Sequence, residues 1–103
     1  MKICADCKEG VLYIRLCGEM DEHSAAAARR DADKLAEDFA ARINRAVIDL
    51  QSVSFMDSTG IGFLIGRYKK FSRYGIAVYL SNPSQATDRI LQMSGVYTLM
   101  PRI

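Results

Sequence analysis

Two segments with strand-type alternation, separated by a long stretch of helical periodicity, constrain the fold of this chain most strongly. Apolar and polar residues alternate along VLYIRLC (11–17) and again along AVIDL (46–50). Between these segments, from about residue 24 to residue 42, an apolar residue recurs every three or four positions. A strand–helix–strand unit of this length predicts two parallel strands joined by a right-handed crossover.

The same criteria assign the rest of the chain. Strand or helix patterns are predicted at 2–7 (strand), 58–72 (helix), 76–80 (inner strand), 84–95 (helix) and 96–103 (a fifth, edge strand). The order is β-β-α-β-α-β-α, with the tail as an optional further strand. We therefore expect an α/β fold in which a four- to five-stranded mixed sheet starts with a hairpin. Because crossovers that advance in one direction place their helices on one side, the helices should lie mainly on one face.

Length and composition narrow the class of protein. The 103 residues are enough for one domain, spanning 1–103, and half of them are apolar. The net charge of +2 is spread along the chain, so no nucleic-acid groove is indicated. No apolar run approaches the ~20 residues that span a bilayer. The three cysteines do not suggest a disulfide framework. We expect a cytoplasmic protein with neither a nucleic-acid nor a membrane partner, and with no cofactor.

Cysteine and histidine could suggest metal or redox chemistry. Cys4 and Cys7 form a CxxC pair, but residues three apart in a strand point to opposite faces. Cys17 and His23 do not complete a convincing set of four ligands. No helix N-terminus adjoins the pair to lower a thiol pKa. We therefore expect no metal site, and we interpret the cysteines as small apolar strand residues.

Acids and hydroxyls follow two of the predicted strands. The loops GEMDEHS (18–24) and SFMDSTG (54–60) both leave the carboxyl ends of strands. In open sheets with parallel strands, ligands and partners meet the chain at this edge. Within the second loop, Asp57 is a natural N-cap, which places Ser58 and Thr59 at the first two helical positions.

The two hydroxyls admit several interpretations. A nucleophile elbow needs glycine two residues before the serine, where Met56 stands, and the only histidine, His23, has no evident orienting partner. A phosphate-binding loop would need a lysine after the glycines. The residues could form only a helix cap. Alternatively, Ser58 accepts a phosphoryl group that the helix N-terminus tolerates, next to a surface that the added charge would disrupt.

A helical projection of residues 58–72 predicts which side faces outward. The expected core face comprises Ile61, Leu64, Ile65, Tyr68 and Phe71, and the expected outer face comprises Thr59, Gly62, Phe63, Gly66 and Lys70. Two glycines inside a helix cost about 2 kcal/mol relative to alanine. Close approach of a partner backbone, with Phe63 as an apolar anchor, would offset that cost. Alternatively, the glycines admit a neighbouring loop of the same chain.

Three segments also resemble one protein family. SFMDSTGIGFLIGRYKK (54–70), GEMD (18–21) and LQMSGVYTLM (91–100) are similar to the signature segments of bacterial anti-sigma-factor antagonists with the STAS fold, most of all to its sporulation members. The resemblance implies a regulator of transcription that is not an enzyme. Such a protein binds an anti-sigma factor that is a serine kinase, releases a sigma factor, is phosphorylated by that kinase and is restored by a serine phosphatase.

Carried onto this chain, the resemblance implies Ser58 as the phosphorylated residue, with Thr59 as a second candidate. The expected partner contacts lie in the 54–70 region and the 18–24 loop. They are Asp21, His23, Asp57, Thr59, Gly60, Gly62, Phe63, Gly66, Arg67 and Lys70. The alternatives are a small enzyme with Ser58 as nucleophile, a redox protein using the CxxC pair, and a STAS component of another stress-signalling complex.

Overall fold

The elements follow the predicted order as far as the last helix. A computed structural model describes all residues, 1–103. The strands are β1 (Lys2–Lys8), β2 (Val11–Met20), β3 (Arg45–Met56) and β4 (Ala77–Ser81). The helices are α1 (Glu22–Phe39), α2 (Ser58–Ser72) and α3 (Gln85–Ser94), and short 3-10 turns occupy Ala40–Arg42 and Val96–Thr98. The predicted bounds of α2 are confirmed.

One mixed sheet carries the fold, in the order β1-β2-β3-β4. β1 and β2 are antiparallel, and β3 is parallel to both β2 and β4. The opening hairpin turns through Glu9 and Gly10, whose φ angles of 52° and 79° belong to the left-handed region that a two-residue hairpin of type I′ requires. The predicted mixed sheet with an opening hairpin is confirmed.

The end of the sheet differs from the prediction. β4 is an edge strand, not an inner one, and no fifth strand forms. After α3, Gly95 at φ 77° leads into the second 3-10 turn, which uses the residues that a strand would need. The tail makes a single parallel bridge between Leu80 and Arg102. Burial along β4 alternates, because Val78 and Leu80 pack in the core whereas Ala77 is exposed and Tyr79 is half-buried.

All three helices contribute to one core on one face of the sheet. α1 supplies Ala28, Ala32 and Ala36. The strands supply Leu12, Ile14, Leu16 and Met20 from β2, Ala46, Ile48, Leu50, Val53 and Met56 from β3, and Val78 and Leu80 from β4. Leu64, Phe71 and Leu91 from α2 and α3 complete the same cluster. On the other face, the exposed Arg15 pairs with Asp49 at 3.4 Å. The helices therefore cover one face, as predicted. None of them is both long and apolar enough to cross a membrane.

The rotation of α2 about its axis differs from the helical projection. Its buried residues are Gly60, Phe63, Leu64, Arg67 and Phe71, whereas Ile61, Ile65 and Tyr68 are only half-buried. The predicted position of Phe63 on the outer face is wrong, because Phe63 is only 3% exposed. The physical reason is that α2 packs against α1 as well as against the sheet.

The contact between these helices is a seam of residues spaced three or four apart. On α1 it contains Ala25, Arg29, Asp33 and Glu37, and on α2 it contains Thr59, Phe63, Arg67 and Lys70. We refer to this contact as the α1/α2 seam. Two ion pairs cross it: Arg67 Nε lies 2.9 Å from Asp33 Oδ1, and Lys70 Nζ lies 2.9 Å from Glu37 Oε1.

Arg67 is the buried member of the seam. It is 5% exposed, and its guanidinium lies 4.9 Å from the centre of the Phe63 ring. Its contact with Asp33 is at hydrogen-bond distance, but the two atoms are poorly aligned for a hydrogen bond, so the contact is chiefly ionic. Burial lowers the pKa of Arg67, and the charge of Asp33 opposes that shift.

The two ion pairs should differ in their effect on stability. Asp33→Asn leaves the buried Arg67 without its counter-charge, and we expect it to lower the free energy of unfolding by about 2 kcal/mol or more. Glu37→Gln is the matched control. Its carboxylate is 54% exposed, so we expect a loss below ~1 kcal/mol. Urea denaturation of both variants tests this difference, and equal losses would contradict it.

Candidate functional site

The carboxyl ends of β2 and β3 lie side by side. After two register shifts between the strands, Met20 is paired with Met56, so Asp21 and Asp57 leave the sheet next to each other. The two segments predicted as loops are therefore mostly regular structure, because residues 18–20 and 54–56 belong to the paired strands. Each strand passes through a single aspartate into the following helix.

Asp21 caps the first turn of α1. Its Oδ1 accepts hydrogen bonds from the backbone N–H groups of His23, at 3.0 Å, and Ser24, at 3.1 Å. The Ser24 hydroxyl oxygen in turn accepts a long hydrogen bond from the backbone N–H of Asp21, at 3.4 Å, which completes a capping box. The backbone hydrogen bond from Ser24 is the main cause that lowers the pKa of Asp21. His23 is exposed in this first turn.

Asp57 caps α2 as predicted. Its Oδ1 accepts a hydrogen bond from the backbone N–H of Thr59, at 2.9 Å. Ser58 is the first helical residue and is exposed, whereas Thr59 is half-buried and faces α1. The structure therefore separates the two hydroxyls, since one points to solvent and the other lines a contact between helices.

Gly60 has a structural role, so its prediction as a partner contact is not supported by its position. It is buried where α2 meets the ends of β2 and β3. A Cβ at this position would lie 2.5 Å from Cγ of Met56 and 2.8 Å from Cγ of Met20. No real side chain tolerates such distances without movement of its neighbours. Only glycine allows α2 to begin this close to the sheet.

Gly62 and Gly66 have a different environment. Gly62 is exposed and Gly66 is half-buried, and a Cβ at either position would meet no atom within 4 Å. The interpretation that they admit a neighbouring loop of the same chain is therefore wrong. Nothing within the chain explains two glycines in a helix interior, where each costs roughly 1 kcal/mol relative to alanine.

The remaining predicted contacts on α2 are not free. Phe63 and Arg67 are buried in the α1/α2 seam, and Lys70 is engaged by Glu37, whose hydrogen bond is the main cause that raises the pKa of Lys70. The helical projection placed Phe63 and Lys70 on the outer face because they lie opposite the apolar side of α2. The contacts of α2 with α1 reverse that expectation.

Phe55 is an exposed aromatic residue that the sequence analysis missed. It is 50% exposed near the end of β3, two residues before Asp57, and it is paired in register with Glu19. Buried Val53 and Met56 are three residues apart, so the alternation breaks at this point. The break in alternation, within the segment 54–70, was the only available signal.

Other clefts and clusters lie apart from Ser58. A depression of about 600 Å³ lies on the open face of the sheet around Cys4, Tyr13, Arg15 and Asp49, and none of the predicted site residues line it. No group of three or more cysteine, histidine or acidic side chains is arranged to hold a metal. A smaller groove of about 290 Å³ lies beside the head of α2.

The STAS domain family model matches residues 2–103. The chain belongs to the STAS domain family. Over 92 residues the chain is 34% identical to an anti-sigma F factor antagonist of Paenibacillus polymyxa, covering 89% of this chain and 77% of the relative. Over 98 residues it is also 34% identical to the anti-sigma-B factor antagonist of Bacillus subtilis, covering 93% and 86%. Within the STAS family it is therefore one of the anti-sigma-factor antagonists.

Solved structures agree with this assignment. The anti-sigma factor antagonist SpoIIAA in its unphosphorylated form matches this STAS domain with a TM-score of 0.79 and 25% identity, covering 99% of this chain and 88% of that one. The phosphorylated form of SpoIIAA from Bacillus matches with a TM-score of 0.71 and 25% identity, covering 99% and 91%. The predicted STAS fold is therefore confirmed.

Two glycines of this STAS domain should respond to alanine with opposite signs. Gly60→Ala forces Met20 and Met56 apart, and we expect it to lower the free energy of unfolding by ~1–3 kcal/mol. Gly62→Ala adds a methyl group in open space within a helix, and we expect a gain of ~0.5–1 kcal/mol. Urea denaturation measures both changes. Destabilisation by Gly62→Ala would show that the free chain needs this glycine.

Proposed function

We propose that this protein is an anti-sigma-factor antagonist that binds a kinase-type anti-sigma factor through the head of α2, and that phosphorylation of Ser58 prevents that binding. The observation that carries the proposal is the exposed Ser58 at the start of a helix whose outward strip, at Gly62 and Gly66, is uncovered. The family membership of the chain supports the same role. The protein would act as a binding module in the cytoplasm, not as an enzyme.

The proposed docking surface differs in part from the one that the sequence suggests. It contains Ser58, Thr59, Gly62 and Gly66 on α2, and the exposed Phe55 replaces Phe63 as the apolar anchor. Asp21 and His23 lie at the adjoining helix start, and Asp57 at the head of α2. Because Gly62 and Gly66 have no side chains, a partner backbone can approach α2 closely. This approach would explain why two glycines occupy the interior of a helix.

Phosphorylation at Ser58 is supported by its position. The hydroxyl is exposed and therefore open to a kinase, and an anion at a helix N-terminus is favoured by ~0.3–1 kcal/mol. The antagonist SpoIIAA, which shares this fold, has been solved in a phosphorylated form. Thr59 is less open, because it is half-buried against α1. We propose that the anti-sigma factor kinase adds the phosphate and that a serine phosphatase removes it.

The phosphate should act locally. The interaction of the phosphate with the helix N-terminus is small compared with a free energy of unfolding of ~5–15 kcal/mol. It is therefore too weak to change the structure of α2. The free-energy cost of the phosphate is larger in a closely packed interface, because the added dianion must lose its bound water there. A loss of ~3–4 kcal/mol weakens binding by more than a hundredfold. We therefore propose that added charge and bulk block docking without rearrangement of the fold.

A second circuit is an alternative within the same mechanism. The identity to an antagonist of anti-sigma-B factor equals the identity to an antagonist of anti-sigma F factor. The likeness to an antagonist of anti-sigma-B factor supports a second proposal, that the chain serves another stress-signalling partner switch. Both roles use the same surface and the same acceptor serine.

Two substitutions at Ser58 separate charge from chemistry. Ser58→Ala removes the acceptor and only one exposed hydroxyl, so we expect unchanged stability and unchanged affinity for the anti-sigma factor. Ser58→Asp places a charge in the interface, and we expect at least tenfold weaker binding with the fold intact. Isothermal titration against the anti-sigma factor and circular dichroism measure these effects. If Ser58→Asp binds as tightly as the parent, Ser58 is not in the interface.

Phe55 and Gly62 test the docking surface independently of phosphorylation. Phe55→Ala should weaken anti-sigma factor binding at least tenfold, because it removes an apolar anchor. Gly62→Ala should also weaken binding, although it stabilises the free chain, because its methyl group holds the partner backbone away. Met93→Ala is the control, since Met93 on α3 is 82% exposed and lies outside the proposed surface. Equal affinities for the three variants would exclude this surface.

A further inference from the structure

The α1/α2 seam contains one cation without a partner. At two successive positions along the seam, which we call rungs, an acidic residue of α1 pairs with a basic residue of α2. These pairs are Asp33 with Arg67 and Glu37 with Lys70. One turn earlier on α1, the seam position is occupied by Arg29, which belongs to none of the ion pairs. The residues of α2 that face it carry no charge. They are Thr59, Gly62 and Phe63.

The space in front of Arg29 is the groove of about 290 Å³ described above, which Ala25, Arg29, Thr59, Gly62 and Phe63 line. It is open, because a Cβ at Gly62 would meet no atom within 4 Å. Its lining includes an unpaired guanidinium group, because Arg29 lines the groove whereas Arg67, one turn further along the seam, is paired with Asp33. The charge of Arg29 reaches Arg67, where it adds to the lowering of the pKa that burial causes.

We propose that Arg29 binds the phosphoryl group when Ser58 carries it, so that the phosphate supplies the anion that this rung of the seam lacks. The inference rests on the proposed phosphorylation of Ser58 and deepens it. Ser58 adjoins Thr59, which lines the groove together with Arg29. The guanidinium group is planar and offers paired N–H donors that match phosphate oxygens.

The other charged groups nearby do not compete for this role. Arg67 is buried and already paired with Asp33, and Asp57 repels the phosphate rather than binding it. Lys70 is a turn further along the seam and is paired with Glu37. Arg29 is the seam cation that combines exposure with the absence of an ion-pair partner.

Binding of the phosphate by Arg29 has a consequence for the docking surface. The arginine side chain would then extend across the groove beside Gly62, over part of the strip that the partner backbone is proposed to use. The Arg29 side chain would therefore cover the groove when Ser58 is phosphorylated, and the phosphate would also add charge at its edge. The core of the domain need not move.

The test measures the phosphate directly. Phosphoserine is installed at position 58 during translation, and its second ionisation is followed by ³¹P NMR at low ionic strength in the parent, Arg29→Gln, Arg30→Gln and Arg29→Lys proteins. A neighbouring cation favours the dianion, so Arg29→Gln should raise the phosphate pKa by ~0.3–0.7 pH units toward its ordinary value of about 6. Arg30→Gln is the matched control, being exposed and adjacent in sequence but not in the groove. Arg29→Lys should retain part of the effect.

The comparison isolates Arg29, because Asp57 and the N-terminus of α2 are the same in all four proteins. Identical phosphate titrations in Arg29→Gln and Arg30→Gln would overturn the proposal. Equal rises in both variants would also overturn it, since they would indicate a diffuse effect of net charge. Because phosphoserine is introduced without the kinase, the result does not depend on the proposed partner. Failure of the anti-sigma factor to phosphorylate Ser58 would instead contradict the proposed function.

Discussion

The buried contact between Arg67 and Asp33 sets the rotation of α2, and most features of the candidate site depend on that rotation. Arg67 is almost fully buried, so its counter-charge on α1 must face it. Phe63, one turn earlier, is thereby turned toward α1 and lies under the guanidinium group. Gly62 and Gly66 consequently face outward with nothing against them. An ion pair in the seam between two helices therefore determines which part of the signature segment a partner can reach.

The second constraint is the alignment of β2 with β3. Because Met20 and Met56 are paired, both helices start at the same edge of the sheet, each behind an aspartate N-cap. Gly60 allows α2 to begin in contact with both methionines. The signature segment thus combines two kinds of glycine. One is required by packing within the chain, and the other two leave a surface uncovered. Only the latter are candidates for recognition.

The sequence was sufficient for the strand and helix order, the bounds of α2 and the Asp57 cap, because these depend on local periodicity and on capping chemistry. It was insufficient for the outward face of α2. The projection used the residues of one helix alone and placed Phe63 outside. It could not register that α1 packs against that side of α2, where Asp33, more than thirty residues earlier, pairs with Arg67. The same limit applies to Phe55, whose exposure follows from irregular pairing at the ends of two strands. Non-local contacts decide both cases.

These features describe a small surface to which a single phosphate would add charge. Ser58 adjoins Thr59, which lines a groove together with the unpaired Arg29, and the uncovered Gly62 and Gly66 lie on the same helix. The central claim is that a phosphate at Ser58 blocks docking at this surface. The most direct measurement is the affinity of the anti-sigma factor for the unmodified chain and for the chain carrying phosphoserine 58, compared by isothermal titration. The account predicts binding more than a hundredfold weaker for the phosphorylated chain, and equal affinities would contradict it.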